Sequence, residues 1–114
     1  MYVLPRAYNG TVARFELAGF RFEWDEDKAA RNLKKHSLRF AEAAEVFLDP
    51  NAIFGPDPSE SSEKRYYAIG ALQDSELVVF VAYTERTYHG QETIRIISAR
   101  KALAQERRRY YEPH

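Results

Sequence analysis

The sequence predicts an α+β domain: an antiparallel β-sheet meander with an N-terminal helical hairpin and a C-terminal helix. Three observations carry this. Two early segments place apolar residues at helical spacing. Short β-branched and aromatic runs follow, separated by turn-forming residues. The last of these runs, Thr93 to Ala99, passes into a charged helical stretch. Strands joined by short turns, with helices gathered on one face, define the class.

The bulk properties agree. A chain of 114 residues with 45% apolar and 14% aromatic content suits one packed domain. There is no cysteine, hence no disulfide framework and no thiolate metal site. No apolar run approaches the roughly 20 residues that span a bilayer, and Met1 to Arg6 lack the apolar centre of a signal peptide. The expectation is a cytoplasmic protein with no membrane partner.

Residues 1–19 read as an N-terminal extension, with residues 20–114 as the single main domain. Val12, Phe15 and Leu17 form either an edge strand after an Asn9-Gly10 turn or a loose arm. Phe20-Arg21-Phe22-Glu23-Trp24 alternates as a half-buried strand. Asp25 is the expected N-cap of a helix from Glu26 to Lys35, with acids in its first turn and lysines in its last. Phe40, Ala43, Ala44, Phe47 and Leu48 share one face of a second helix, Arg39 to Leu48, which Asp49-Pro50 ends. Asn51 to Phe54 is a short strand candidate. A breaker-rich loop, Gly55 to Ser62, precedes the strand Lys64 to Gly70. Glu76 to Thr84 is the most apolar strand and is expected at the sheet centre. Glu85 to Gln91 reads as a polar loop before the last strand.

A formal net charge of zero hides a separation of charge. Ala41 to Glu63 carries six acids and no Lys or Arg. Arg95 to Arg109 carries six bases against the single acid Glu106. The basic segment suits phosphate or an acidic partner; alternatively, two solvated faces attract each other.

Several phrases resemble the BrnT-type toxins. They are Phe22-Glu23-Trp24-Asp25, then Lys28, Asn32, Lys35-His36, Phe40 and Glu42-Ala43. Glu63-Lys64-Arg65-Tyr66, Ile69-Gly70, Thr84-Glu85-Arg86, Ile94 to Arg100 and Glu106 to Tyr110 follow in order. The resemblance spans about residues 20 to 112. It implies a RelE-like fold and the toxin of a type II toxin–antitoxin pair. Such a toxin is an endoribonuclease that arrests translation. The resemblance also implies a BrnA-type antitoxin that neutralises the toxin and carries the contacts to operator DNA, with a toxin dimer possible within the complex. Three features depart from the family pattern: residues 1–19 precede its usual start, as an extra strand or a misassigned start codon, and two lie within it. Ser37 stands where family members have glycine after Lys-His, and the loop Arg86 to Glu92 is longer than theirs.

Metal-free RNA cleavage needs a base for the 2′-OH, cations for the phosphorane and an acid for the 5′-oxygen. His36, His89 and His114 are scattered without ligand spacing, so neither a metal nor another cofactor is expected. The candidate catalytic residues are His36, Arg65, Arg86, Arg95 and Arg100. Arg95 either reaches a phosphate or pairs with Glu76 or Glu85 across the sheet. Arg100 is expected to open the C-terminal helix, beside a phosphate at that end. Arg65 and Arg86, at adjacent strand ends, either converge or stay as exposed charges. His36 is either an acid–base group or a helix-end residue. Lys28, Lys35, Tyr66, Arg107 and Arg108 are the candidate RNA contacts, and Tyr66, Tyr83 and Tyr110 are either base platforms or core. Arg107, Arg108 and Arg109 span about 300° of helix, so they cannot all face one ligand. The rivals to the enzyme are an antitoxin-binding and operon-repression module with little nuclease activity, and a structural protein that self-associates through its charged faces.

Overall fold

The computed structural model describes residues 11–58 and 63–113. It is an α+β fold built on one six-stranded sheet of order β1-β2-β6-β5-β4-β3. The strands are β1 (Val12–Leu17), β2 (Phe20–Asp25), β3 (Ile53–Pro56), β4 (Tyr66–Ala71), β5 (Val78–Tyr88) and β6 (Gln91–Lys101). The helices are α1 (Glu26–His36), α2 (Phe40–Ala43) and α3 (Ala104–Tyr111). No helix among the described residues is long and apolar enough to cross a membrane.

The sheet is mixed, which corrects the antiparallel meander. Strands β3 to β6 do form antiparallel neighbours, as do β1 and β2. However, β2 lies parallel to β6, with Phe22 beside Ile94 and Glu23 beside Arg95. The whole helical segment and three strands separate β2 from β6 in sequence, so no turn signal announces their pairing.

The helical hairpin also needs correction. α1 forms as its sequence dictates: Asp25 accepts from the backbone N–H groups of Asp27 and Lys28 at 2.8 and 3.1 Å. Ser37 then takes the left-handed conformation at φ 58°, and its N–H donates to Leu33 C=O. The expected second helix is only one α-turn, α2, which tightens into a 3-10 turn at Ala44–Leu48. One reason is how closely this segment presses on β4. A Cβ on Gly70 would sit 2.9 Å from Val46 Cγ1.

The core lies between this helical layer and one sheet face. Phe22, Trp24, Ile96, Val79, Val81, Tyr83 and Ala68 meet Leu38, Phe40, Ala43, Ala44 and Val46. Trp24 sits edge-on to Phe40 at 5.8 Å. Asn32, buried in α1, donates to the carbonyls of Leu38 and Ala99 and accepts from Ala99 N–H. It thereby pairs backbone groups of β6 beyond the point where β2 has left the sheet.

The strands at the C-terminal end run longer than expected. Glu85 to Tyr88 continues β5, and a two-residue turn at His89 (φ 51°) and Gly90 (φ 77°) leads straight into β6. The expected loop from Glu85 to Gln91 is therefore a β-hairpin. The Asn9-Gly10 turn lies outside the described residues. Val12–Leu17 is an edge strand, joined to β2 by Ala18 and Gly19, both at positive φ.

Candidate active site

The second face of the sheet is where the chemistry gathers. Side chains alternate along a strand, so Thr84, Arg86 and Tyr88 of β5 share the face away from the α1–α2 layer. The pairings Glu23–Arg95 and Arg95–Thr84 continue one row across β2, β6 and β5. Tyr66 pairs with Tyr83, which brings Arg65 alongside Thr84 in the next strand. Neighbouring strands lie about 4.8 Å apart. Arg65, Thr84 and Arg95 therefore stand side by side, with Arg86 two positions further along β5.

Three polar atoms here are buried and lack a hydrogen-bond partner among the described residues: Arg65 Nε, Thr84 Oγ1 and Arg86 Nε. Buried polar groups are ordinarily paired, and three orphans in one patch mark a place built for something else. Carboxylates hold parts of the cluster. Arg95 Nη1 donates to Glu23 Oε2 at 2.7 Å, and Glu23 is only 2% exposed. Tyr88 Oη donates to the same oxygen at 2.9 Å. Arg86 Nη2 reaches Glu63 Oε2 at 2.8 Å. The Arg95 pairing is thus with Glu23, which corrects the expected partners Glu76 and Glu85.

These contacts set the protonation states. Burial opposes the Arg86 charge, but the hydrogen bond and charge of Glu63 outweigh it and hold the guanidinium above its usual range. Burial also raises the Tyr88 hydroxyl, and the Glu23 carboxylate raises it further against the opposing pull of Arg86. Tyr88 is therefore kept as a proton-bearing hydroxyl between a cation and an anion.

Arg100 has a different position from the expected one. It lies in β6, before α3, and does not open the helix. Its guanidinium makes a two-point contact with Glu106 at 2.8 and 3.1 Å and lies 4.2 Å from the Phe80 ring centroid. Glu106 also accepts from Leu103 N–H at the start of α3. Arg100 thus clamps α3 to the sheet. At the other end of α3, Tyr110 donates to Asp49. Of the three consecutive arginines, Arg109 is the one that touches the sheet, donating to Tyr67 Oη at 3.0 Å. Arg107 and Arg108 are exposed.

The remaining candidates lie elsewhere. Lys28, Lys35 and His36 belong to α1, whose Ala29 packs against the core on the opposite sheet face. Among the described residues no hydrogen bond or ion pair joins them to the arginines. Tyr66 stacks on Tyr83 at 5.7 Å on the helical side. Tyr83 is core, and burial, Glu85 and Tyr66 push its hydroxyl up to about 12. Tyr67, one residue on, is the aromatic that shares the arginine face. Its ring crosses Gly55 and stacks on Phe80 at 5.5 Å. Glu23, Thr84, Tyr67 and Tyr88 are the residues that sequence reading missed. Two-residue spacing from Arg65 and Arg86 would have found Tyr67, Thr84 and Tyr88.

The arrangement can do one thing well: present several fixed guanidinium groups, a hydroxyl and an aromatic ring to an extended anion. Among known proteins, a family model described as the ribonuclease toxin BrnT of a type II toxin–antitoxin system matches residues 24–106. No curated protein matches the chain.

Proposed function

The chain belongs to the BrnT family of ribonuclease toxins of type II toxin–antitoxin systems, and on that premise we propose that it is an endoribonuclease working from the open face of its sheet. Arg65, Arg86 and Arg95 hold the scissile phosphate around Thr84. The 2′-OH gives its proton to solvent water as its oxygen attacks phosphorus, and the arginines stabilise the phosphorane dianion as it forms. The P–O5′ bond then breaks, and Tyr88 supplies the proton that the leaving 5′-oxygen takes up. Tyr67 offers a ring on which an adjoining base stacks. The charge on the phosphorane is met by guanidinium groups, which carry no lone pair for a metal, so the reaction proceeds without one. Translation arrest follows from cutting messenger RNA, and an antitoxin of the BrnA type neutralises the activity.

The observation that carries this reading is the patch of buried Arg65 Nε, Thr84 Oγ1 and Arg86 Nε, without hydrogen-bond partners among the described residues, beside Arg95. The test is cleavage of total RNA in EDTA by the chain and by Arg65→Ala and Arg86→Ala. Activity that falls about 10²–10³-fold in each variant supports it. Activity abolished by EDTA, or equal in all three proteins, sinks it. A second reading, a partner-binding module with little cleavage, draws on Glu23 and Glu63 already engaging Arg95 and Arg86. That reading predicts no fragments from naked RNA or from translating ribosomes.

A further inference from the structure

On the helical side of the sheet, the α1–α2 layer leaves one end uncovered. A groove of about 870 Å³ opens there, between the Gly19 and Gly90 turns and the 3-10 segment. Its apolar wall is Phe20, Phe47, Phe54, Tyr83 and Ile94. Phe47 packs edge-on to Tyr83 at 5.0 Å and leans on Phe54 at 5.8 Å. Phe54 is nevertheless 51% exposed and Phe20 39% exposed. Two large rings left open beside an aromatic floor are unusual for a surface with no partner.

The rim gives the sign of the occupant. Glu85 and Glu92 stand at the groove, and its one cation among the described residues, Arg21, is bound by Gln91 and lies 3.7 Å from Glu16. An acidic rim repels RNA, so the groove is no extension of the arginine face. Strand alternation also separates the two, because Tyr83 and Glu85 point to one side of β5 while Thr84 and Arg86 point to the other.

We propose that this groove docks a segment of the neutralising antitoxin in which apolar anchor residues are flanked by Lys or Arg. The apolar anchors fill the space between Phe20 and Phe54, and the flanking cations meet Glu85 and Glu92. The proposal rests on the toxin reading only in requiring that an antitoxin exists; it does not require that the open face cleaves RNA. The antitoxin is held from behind the site, leaving its remaining chain to reach the arginine face around the β5–β6 hairpin.

The test uses the purified chain and the antitoxin encoded beside it, with binding measured by calorimetry at two salt concentrations. Phe54→Ser is expected to weaken binding at least tenfold. The exposed pair Glu85→Gln with Glu92→Gln is expected to flatten the salt dependence. RNA cleavage and the unfolding midpoint should stay at their unchanged values in both variants, which separates docking from catalysis and from folding. Affinity within twofold of the unchanged chain in both variants would overturn the groove assignment. So would a self-association of the chain alone, seen by light scattering, that Phe54→Ser abolishes, because a second copy would then be the occupant. An unchanged chain that binds the antitoxin but cuts no RNA refutes the nuclease reading and leaves the groove standing. An unchanged chain that does not bind it overturns the proposal.

Discussion

Asn32 is a buried polar side chain that spends both its amide ends on backbone. Replacing it with Leu keeps the volume but strands the Ala99 N–H and C=O inside the protein. Each unpaired buried group costs about 1–3 kcal/mol, so Asn32→Leu should lower stability by about 3 kcal/mol in urea unfolding. Tyr88 makes the opposite kind of prediction, one about chemistry. Its hydroxyl is held above the ordinary tyrosine range by burial and by Glu23. The proposed proton donor must stay protonated, and a raised pKa keeps it so across the neutral and mildly alkaline range. Cleavage by the unchanged chain should therefore show no loss attributable to this group below about pH 10. Tyr88→Phe should cut the rate about 10²-fold while leaving RNA affinity within a few-fold, as read from single-turnover kinetics.

At the level of elements, β6 decides the site through one extra residue. Val81 pairs with Ala99 and Ala82 with Ser98, yet Tyr83 pairs with Ile96, leaving Ile97 as a bulge. Without it, Arg95 and Arg100 would fall on opposite faces, being five residues apart. With it, both face the same side, Arg95 beside Thr84 and Glu23 and Arg100 toward α3. That helix hangs on two carboxylates. Asp49 accepts from Ala71 N–H, Tyr110 and Asn51, and together these outweigh its burial and lower its pKa. Glu106 is lowered likewise against burial, by Arg100 and the Leu103 N–H. Groups whose folded pKa is depressed stabilise above their unfolded values and lose that contribution as pH falls through the folded ones. Amide exchange in α3 should therefore accelerate as pH drops below about 4, before the β4–β5–β6 amides lose protection. Asp49→Asn should blunt that pH dependence.

Across the whole molecule, a net charge of zero hides local concentrations of either sign. The open face carries Arg65, Arg86 and Arg95, while the opposite side carries the groove with Glu85 and Glu92. RNA binding to such a face releases counterions, so affinity should fall with salt by about 0.7 log units per log unit for each single-strand phosphate contact. Removing one guanidinium, as in Arg65→Ala, should reduce that slope by roughly one such contact. Filter binding with a non-cleavable 2′-deoxy oligonucleotide checks this without interference from turnover. A slope unchanged by the substitution would place the RNA elsewhere.

The sequence by itself determined the local elements and the family. The Asp25 cap, the alternation in Phe20 to Trp24, the apolar run of β5 and the BrnT-like phrases all act over a few residues, where side-chain chemistry and spacing decide the outcome. It also pointed to Arg65, Arg86 and Arg95, because their strand neighbours are local. The tertiary structure alone decided what depends on residues far apart meeting. The parallel seam of β2 and β6 places Glu23 on Arg95 across 72 positions. The Ile97 bulge sets the side on which Arg100 emerges, and its aim at Glu106 makes it a clamp. The left-handed turn at Ser37 needed no glycine because the hydrogen bond from Ser37 N–H to Leu33 C=O and the burial of Leu38 outweigh about 1 kcal/mol of backbone strain. Register and packing are properties of the assembled sheet, and no stretch of a few residues contains them.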